Sequence, residues 1–208
     1  MEYKTEQEKF WAGQFGDDYI ARNQDERLLI SKTALFSKIL AKTGLIQSVL
    51  EFGSNIGLNL KAVNALLPST ELSAIEINNT AAQSLQAWGK CEDIFEQSIL
   101  DFVPQKTYEM TMVLHVLIHI NPDELTHVYK KLYDASHRWI FLAESYNPTP
   151  VEVNYRGNTS KYFKRDFAGE LMAQHPDLKL VDYGFVYHND PSYPLDDPTW
   201  FLLEKPTA

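Results

Sequence analysis

The segment from Val49 to Leu60, VLEFGSNIGLNL, holds the residues of this chain whose types and spacing most clearly suit chemistry. An apolar run leads into Glu51, Gly53, Ser54, Asn55 and Gly57 and then into a helical pattern, which are the parts of a nucleotide-binding corner. Gly53 lets the backbone turn tightly and approach a ligand. Asn55 is one of the few non-glycine residues that tolerates a left-handed conformation, and Gly57 permits close helix packing. A glycine turn by itself also serves as a plain structural bend, so the second apolar run matters. That run, LSAIEI, ends near Glu76, where a carboxylate can accept both hydroxyls of a ribose.

Holding these groups together requires a sheet with helices between its strands. Strand-like and helical runs alternate along the chain: SVLEF, NLKAVNALL, LSAIEI, TAAQSLQAW, YEMTMVL, PDELTHVYKKLY and RWIFLAE. This alternation predicts an α/β fold with a doubly wound, mostly parallel sheet. KRDFAGELMAQ reads as a helix, and LKLVDYGFVYH and TWFLLEK as two late strands joined by a polar turn, so that a late strand runs antiparallel. Residues 147–160, with two prolines and one glycine, read as a loop. Upstream, KTEQEKFWAGQFGDDYIARN and ERLLISKTALFSKILAKTG read as two leading helices, the second ended by Gly44. The whole of residues 1–208 is expected to form one domain, with the leading helices in 1–44 and an inserted loop over 145–162.

Composition narrows the partners. The chain has 208 residues, a formal charge of -9 and a sequence pI near 5.1, so its overall field repels polyanions and argues against nucleic acid. No stretch approaches the roughly 18 apolar residues of a membrane span, and the first residues lack an apolar leader, so a cytoplasmic protein is expected. The single cysteine, Cys91, excludes an internal disulfide and a multi-cysteine metal site. His115 and His119 lack an HExxH context and a third ligand, so no metal is expected. Against the acidic background, Arg156, Lys161, Lys164 and Arg165 form a local basic patch that suits a phosphate or carboxylate, or serves as a solvated face.

The order of elements and the EFGSNIG segment resemble the seven-stranded class I methyltransferases that use S-adenosylmethionine, and the likeness covers almost the whole chain. It implies a Rossmann-like fold, S-adenosylmethionine as cofactor and S-adenosylhomocysteine as product. It further implies that Glu51, Gly53, Ser54, Asn55 and Gly57 hold the methionine end, that Glu76 and Ile77 hold the ribose, and that Ser98 and Ile99 lie beside the adenine. The chain departs from the common pattern at Asn55, where a glycine is usual, and at Ser98, where an aspartate often sits. More narrowly, FWAGQFGDDYIARN, EFGSNIGLNL, ESYNPTPVEVNYRGNTSKYFKRDFAGEL and DDPTWFLLEK resemble the methylases associated with pseudaminic acid biosynthesis. That likeness implies a small acceptor, a nonulosonic sugar or its nucleotide-activated form.

Methyl transfer to a hydroxyl needs alignment, exclusion of water and a group that takes a proton. His119 and Glu144 both follow strand-like runs at carboxyl ends, where such sheets bind ligands, and both are candidates for the base; a buried histidine equally serves as a packed core residue. His115 is expected to line the cofactor pocket. Tyr146, Asn147, Tyr155, Arg156 and Lys161 in the inserted loop, with His188 in a late turn, offer groups suited to a polyhydroxylated, anionic acceptor. In the leading helix Trp11, Phe15 and Tyr19 share one face, with Arg22 a further step on. Leading helices of similar methyltransferases act as lids, which would let Tyr19 or Arg22 meet the methionine carboxylate. A nicotinamide-dependent oxidoreductase shares the glycine turn and ribose carboxylate, and a sugar-binding domain without catalysis is a further reading.

Overall fold

Strands that are buried on both faces read as continuous apolar runs, and here they form the middle of a seven-stranded sheet. The computed structural model describes residues 3–23 and 25–206. Three leading helices, α1 (Glu6–Ala12), α2 (Gln14–Ile20) and α3 (Glu26–Thr43), precede β1 (Ser48–Phe52), α4 (Leu58–Leu66), β2 (Glu71–Glu76), α5 (Asn79–Trp88) and β3 (Asp93–Glu96). The second half contains β4 (Tyr108–Leu114), α6 (Leu125–Ala135), β5 (Ser136–Glu144), the short strands β6 (Val151–Glu152) and β7 (Phe163–Lys164), α7 (Phe167–Gln174), β8 (Lys179–Phe185) and β9 (Thr199–Glu204).

The sheet order is β3-β2-β1-β4-β5-β9-β8. Strands β1 to β5 pair in parallel, and β9 runs antiparallel to both β5 and β8, as the late-strand pattern predicts. On one face, Leu35, Phe36 and Ile39 of α3 pack against Val49, Met110 and Phe141; on the other, Val128 and Leu132 of α6 and Leu171 of α7 join a core with Phe52, Val113 and Leu142. Chain order reverses between β1 and β4, and sheets of this kind leave a crevice at that reversal, beyond the carboxyl ends of the strands.

Three local features differ from the sequence pattern. The first leading helix breaks at Gly13, whose backbone is extended (φ -103°, ψ -158°) and which closes α1 and opens α2. Strand β3 carries acidic residues at both ends and is only partly buried, so its apolar signal is weak. The loop over 147–160 contains β6, which pairs with β7 beyond its end. Among the described residues, no helix is long and apolar enough to cross a membrane.

Candidate active site

The glycine turn is tied to the second strand by its own amides. Gly53 and Ser54 donate their N–H groups to the Ile75 carbonyl at 2.9 and 3.1 Å, and the Asn55 N–H donates to Glu76 Oε2 at 2.6 Å. The other oxygen of Glu76 accepts the Asn78 N–H at 2.8 Å, and the Asn78 side chain caps α5 through Ala81. Asn55 takes the left-handed conformation expected of it (φ 48°). Gly57, at φ 77°, begins α4, and a Cβ there would lie 2.5 Å from Leu85 Cδ2. Its glycine is thus a packing requirement between α4 and α5, as the sequence suggests.

Behind this turn lies a buried polar chain. Glu51 is fully buried; its Oε1 accepts from Asn59 Nδ2 at 2.5 Å, and its Oε2 has no partner among the described residues. Asn59 Oδ1 in turn accepts from Lys32 Nζ at 2.8 Å. Burial pushes the Glu51 carboxyl above the usual carboxylate range and the Lys32 ammonium below the usual lysine range. Lys32, on α3, has no carboxylate within ion-pair reach among the described residues; Glu51 and Asp196 act on it only through space. Nothing in an ordinary amphipathic helix marks this lysine, and the sequence reading missed it.

A cavity of about 160 Å³ opens at the carboxyl ends of β1 to β4. Its wall includes Gly53, Ser54, Asn55, Glu76, Ile77, Ser98, Ile99 and His115 from the sheet side, all expected there, together with Lys32 and Asn59. The leading helices supply Glu8, Trp11 and Tyr19 to the same wall. They are fastened by Gln7 Nε2 donating to the Ser160 carbonyl (2.8 Å), Asn78 Nδ2 donating to Asp17 (3.0 Å) and a Lys4–Asp101 ion pair (2.6 Å). Glu51 itself stands one layer behind the wall and reaches it through Asn59.

His119 also lines the cavity. It follows β4 in the 3₁₀ turn Leu117–His119 and packs against Trp11, Tyr155 and Tyr162, with ring centroids 4.5, 4.9 and 5.6 Å away. Its Nδ1 lies 2.6 Å from the Lys161 carbonyl, an acceptor, so Nδ1 carries the proton and Nε2 keeps its lone pair. Burial pushes its pKa down to about 4, and that of His115 likewise to about 4 with help from Lys32.

Several expected residues stand elsewhere. Glu144 is not a base at the cavity: its buried carboxylate accepts the N–H groups of Val116, Leu117 and Ile118 at 2.9, 3.0 and 3.3 Å and holds the turn after β4. Arg22 is exposed, its guanidinium 5.6 Å from the Phe15 ring, because α2 ends at Ile20 and the tighter winding that follows carries Arg22 off the Tyr19 face. Tyr146 packs beside Phe201 (6.2 Å), Asn147 turns to Thr149, and His188 pairs with Asp197 (2.8 Å); none of the three lines the cavity. The Lys161 ammonium pairs with Glu6 at 3.3 Å, while its carbonyl orients His119. Tyr155 does lie in the aromatic cluster over His119, and Arg156 is exposed with its guanidinium 5.9 Å from that ring.

One antiparallel strand between β5 and the edge of a parallel sheet, with a crevice beside the glycine turn, defines the Rossmann-like fold of the S-adenosylmethionine-dependent methyltransferases. Among solved structures, the chain is similar to a 1,6-didemethyltoxoflavin-N1-methyltransferase from Burkholderia thailandensis solved with its substrate and S-adenosylhomocysteine. The TM-score is 0.72 and the identity 12%, over 95% of this chain and 86% of that one. It is also similar to a magnesium protoporphyrin IX methyltransferase from Synechocystis with bound S-adenosylhomocysteine (TM-score 0.69, 12% identity, 96% and 98% of the two chains). A third is a methyltransferase from Leishmania major (TM-score 0.71, 14% identity, 96% and 81%). No protein-family model and no curated protein matches the chain. At these identities the likeness establishes the fold.

Proposed function

We propose that the protein is an S-adenosylmethionine-dependent methyltransferase that releases S-adenosylhomocysteine, and that its acceptor is a small nonulosonic sugar of pseudaminic type or its nucleotide-activated form. The observation that carries this reading is one cavity walled by the Glu76 carboxylate on one strand end and the Lys32 ammonium, without a carboxylate partner among the described residues, beside the next. A ribose diol suits Glu76, whose two amide bonds leave lone pairs open, and a methionine carboxylate suits Lys32. Lys32 takes the part that the sequence assigns to Arg22. When bound, the cofactor supplies a methyl group already activated by its sulfonium centre. The chain itself orients the acceptor, keeps water out and accepts a proton. His119 suits the last task, since its ring is neutral at physiological pH and its Nε2 is unprotonated.

The acceptor class rests on the likeness of the 145–171 and 196–205 segments to the pseudaminic-acid-associated methylases, with Tyr155 and Arg156 beside His119. Arg165 and Lys161 of the basic patch are engaged with Glu170 and Glu6, which leaves Arg156 and Lys164 outside any ion pair among the described residues. Calorimetric titration with S-adenosylhomocysteine and with a nicotinamide dinucleotide tests the cofactor: binding of the first alone is expected. Incubation with methyl-labelled cofactor and a panel of nucleotide-activated sugars, read by mass, tests the acceptor. Failure to bind S-adenosylhomocysteine would overturn the whole reading; methylation of some other metabolite would overturn the acceptor alone.

A further inference from the structure

The adenine side of the cavity shows an exchange of roles between the sheet and the lid. Ser98, where similar methyltransferases often carry an aspartate, turns its hydroxyl oxygen to the Leu100 N–H (3.0 Å) and is buried. Directly against this turn lies the start of α1: Lys4 pairs with Asp101 and donates to the Leu100 carbonyl at 3.4 Å. Glu8, one turn into α1, is only 6% exposed. Its Oε2 accepts from the Thr5 N–H (2.7 Å) and hydroxyl (3.1 Å), completing a capping box, while its Oε1 has no partner. Three residues further, on the same helix face, Trp11 Nε1 is also buried without a partner. Of the buried polar atoms left unpartnered among the described residues, these two belong to residues of the cavity wall. Buried polar groups without partners are costly, so the pair calls for a ligand that completes it.

We infer that Glu8 of the lid, with Trp11 beside it, reads the adenine amine of the cofactor in place of the aspartate missing at position 98; this rests on the cavity being the S-adenosylmethionine site. An adenine edge presents an amine donor next to a ring-nitrogen acceptor. Glu8 Oε1 offers the matching acceptor and Trp11 Nε1 the matching donor. Because the reading residue sits on α1 and not on β3, base recognition and closure of the lid become one event. A base with a carbonyl in place of the amine would set an oxygen against the Glu8 carboxylate and be rejected.

The test compares S-adenosylhomocysteine with S-inosylhomocysteine by calorimetry on the full chain and its Glu8→Gln and Trp11→Phe variants. Glutamine keeps the capping box, so Glu8→Gln retains the fold, checked by thermal melting. The wild type should prefer the adenosyl compound by about tenfold or more. Glu8→Gln should weaken adenosyl binding by about tenfold and narrow or reverse the preference, because its amide can donate to the inosyl carbonyl. Trp11→Phe should weaken the adenosyl compound by a few fold without reversing the preference. Unchanged affinity and unchanged preference in Glu8→Gln would overturn the assignment while leaving the methyltransferase reading intact. A wild type that binds neither compound would remove both.

Discussion

Replacing Lys32 by methionine is expected to leave the fold about as stable as before and to weaken binding of S-adenosylhomocysteine strongly, an unusual pairing of outcomes. The variant loses one hydrogen bond, from Nζ to Asn59 Oδ1 at 2.8 Å, worth about 1 kcal/mol. It also relieves the burial of an ammonium that no carboxylate neutralises at contact, a gain of similar order. The two offset each other, so the melting temperature should move by no more than about 4 °C. Affinity should fall roughly 10- to 150-fold, the range of one charge-assisted hydrogen bond. The pH dependence has a definite sign. Because burial lowers the Lys32 pKa, the unfolded chain holds a proton that the folded site resists, so stability rises with pH up to the ordinary lysine value of 10.5. An arriving carboxylate raises that pKa again, so affinity should fall as pH climbs, with proton uptake visible as a dependence of the calorimetric heat on the buffer. A Lys32→Met variant that unfolds readily yet binds within about threefold of the wild type would refute the assignment of Lys32 to the ligand carboxylate.

Glu144→Ala should cost about 3–5 kcal/mol in chemical denaturation, since three buried amides lose their acceptor, whereas Glu144→Gln should keep most turnover; loss of turnover in the glutamine variant at unchanged stability would restore Glu144 as a base. His119 is buried with its pKa pushed down to about 4, so as pH falls from 6.5 toward 4 the unfolded chain takes up a proton that the folded one refuses, and roughly 3 kcal/mol of stability is lost. His119→Phe should flatten that part of the slope in urea midpoints measured across the same range. Gly57→Ala should destabilise by about 2–4 kcal/mol, because it forces a side chain into a left-handed backbone and against Leu85; a smaller change by denaturant titration would show that Leu85 can give way.

The corner that holds the ligand was legible in the sequence because its signals are local. A strand, Asn55 and Gly57 at positive φ, and an acid ending the next strand each declare themselves within a few residues, and alternation of apolar runs declares the sheet around them. The antiparallel β9 was legible for the same reason, as a short link between two apolar runs. Lys32, Glu8 and Glu144 were not. Lys32 becomes a ligand-seeking cation only where α3 meets Asn59 of α4, and Glu8 only where α1 closes over the turn at Ser98. Glu144, at a carboxyl end where bases are found, is claimed instead by three amides of the neighbouring strand's turn. Tyr146, Asn147 and His188 carry suitable groups, yet their directions depend on how the inserted loop and the β8–β9 turn settle against the sheet. Backbone geometry is written in neighbouring residues; whether a charge is buried, and what it faces, depends on segments that are far apart in the chain and meet only when it folds.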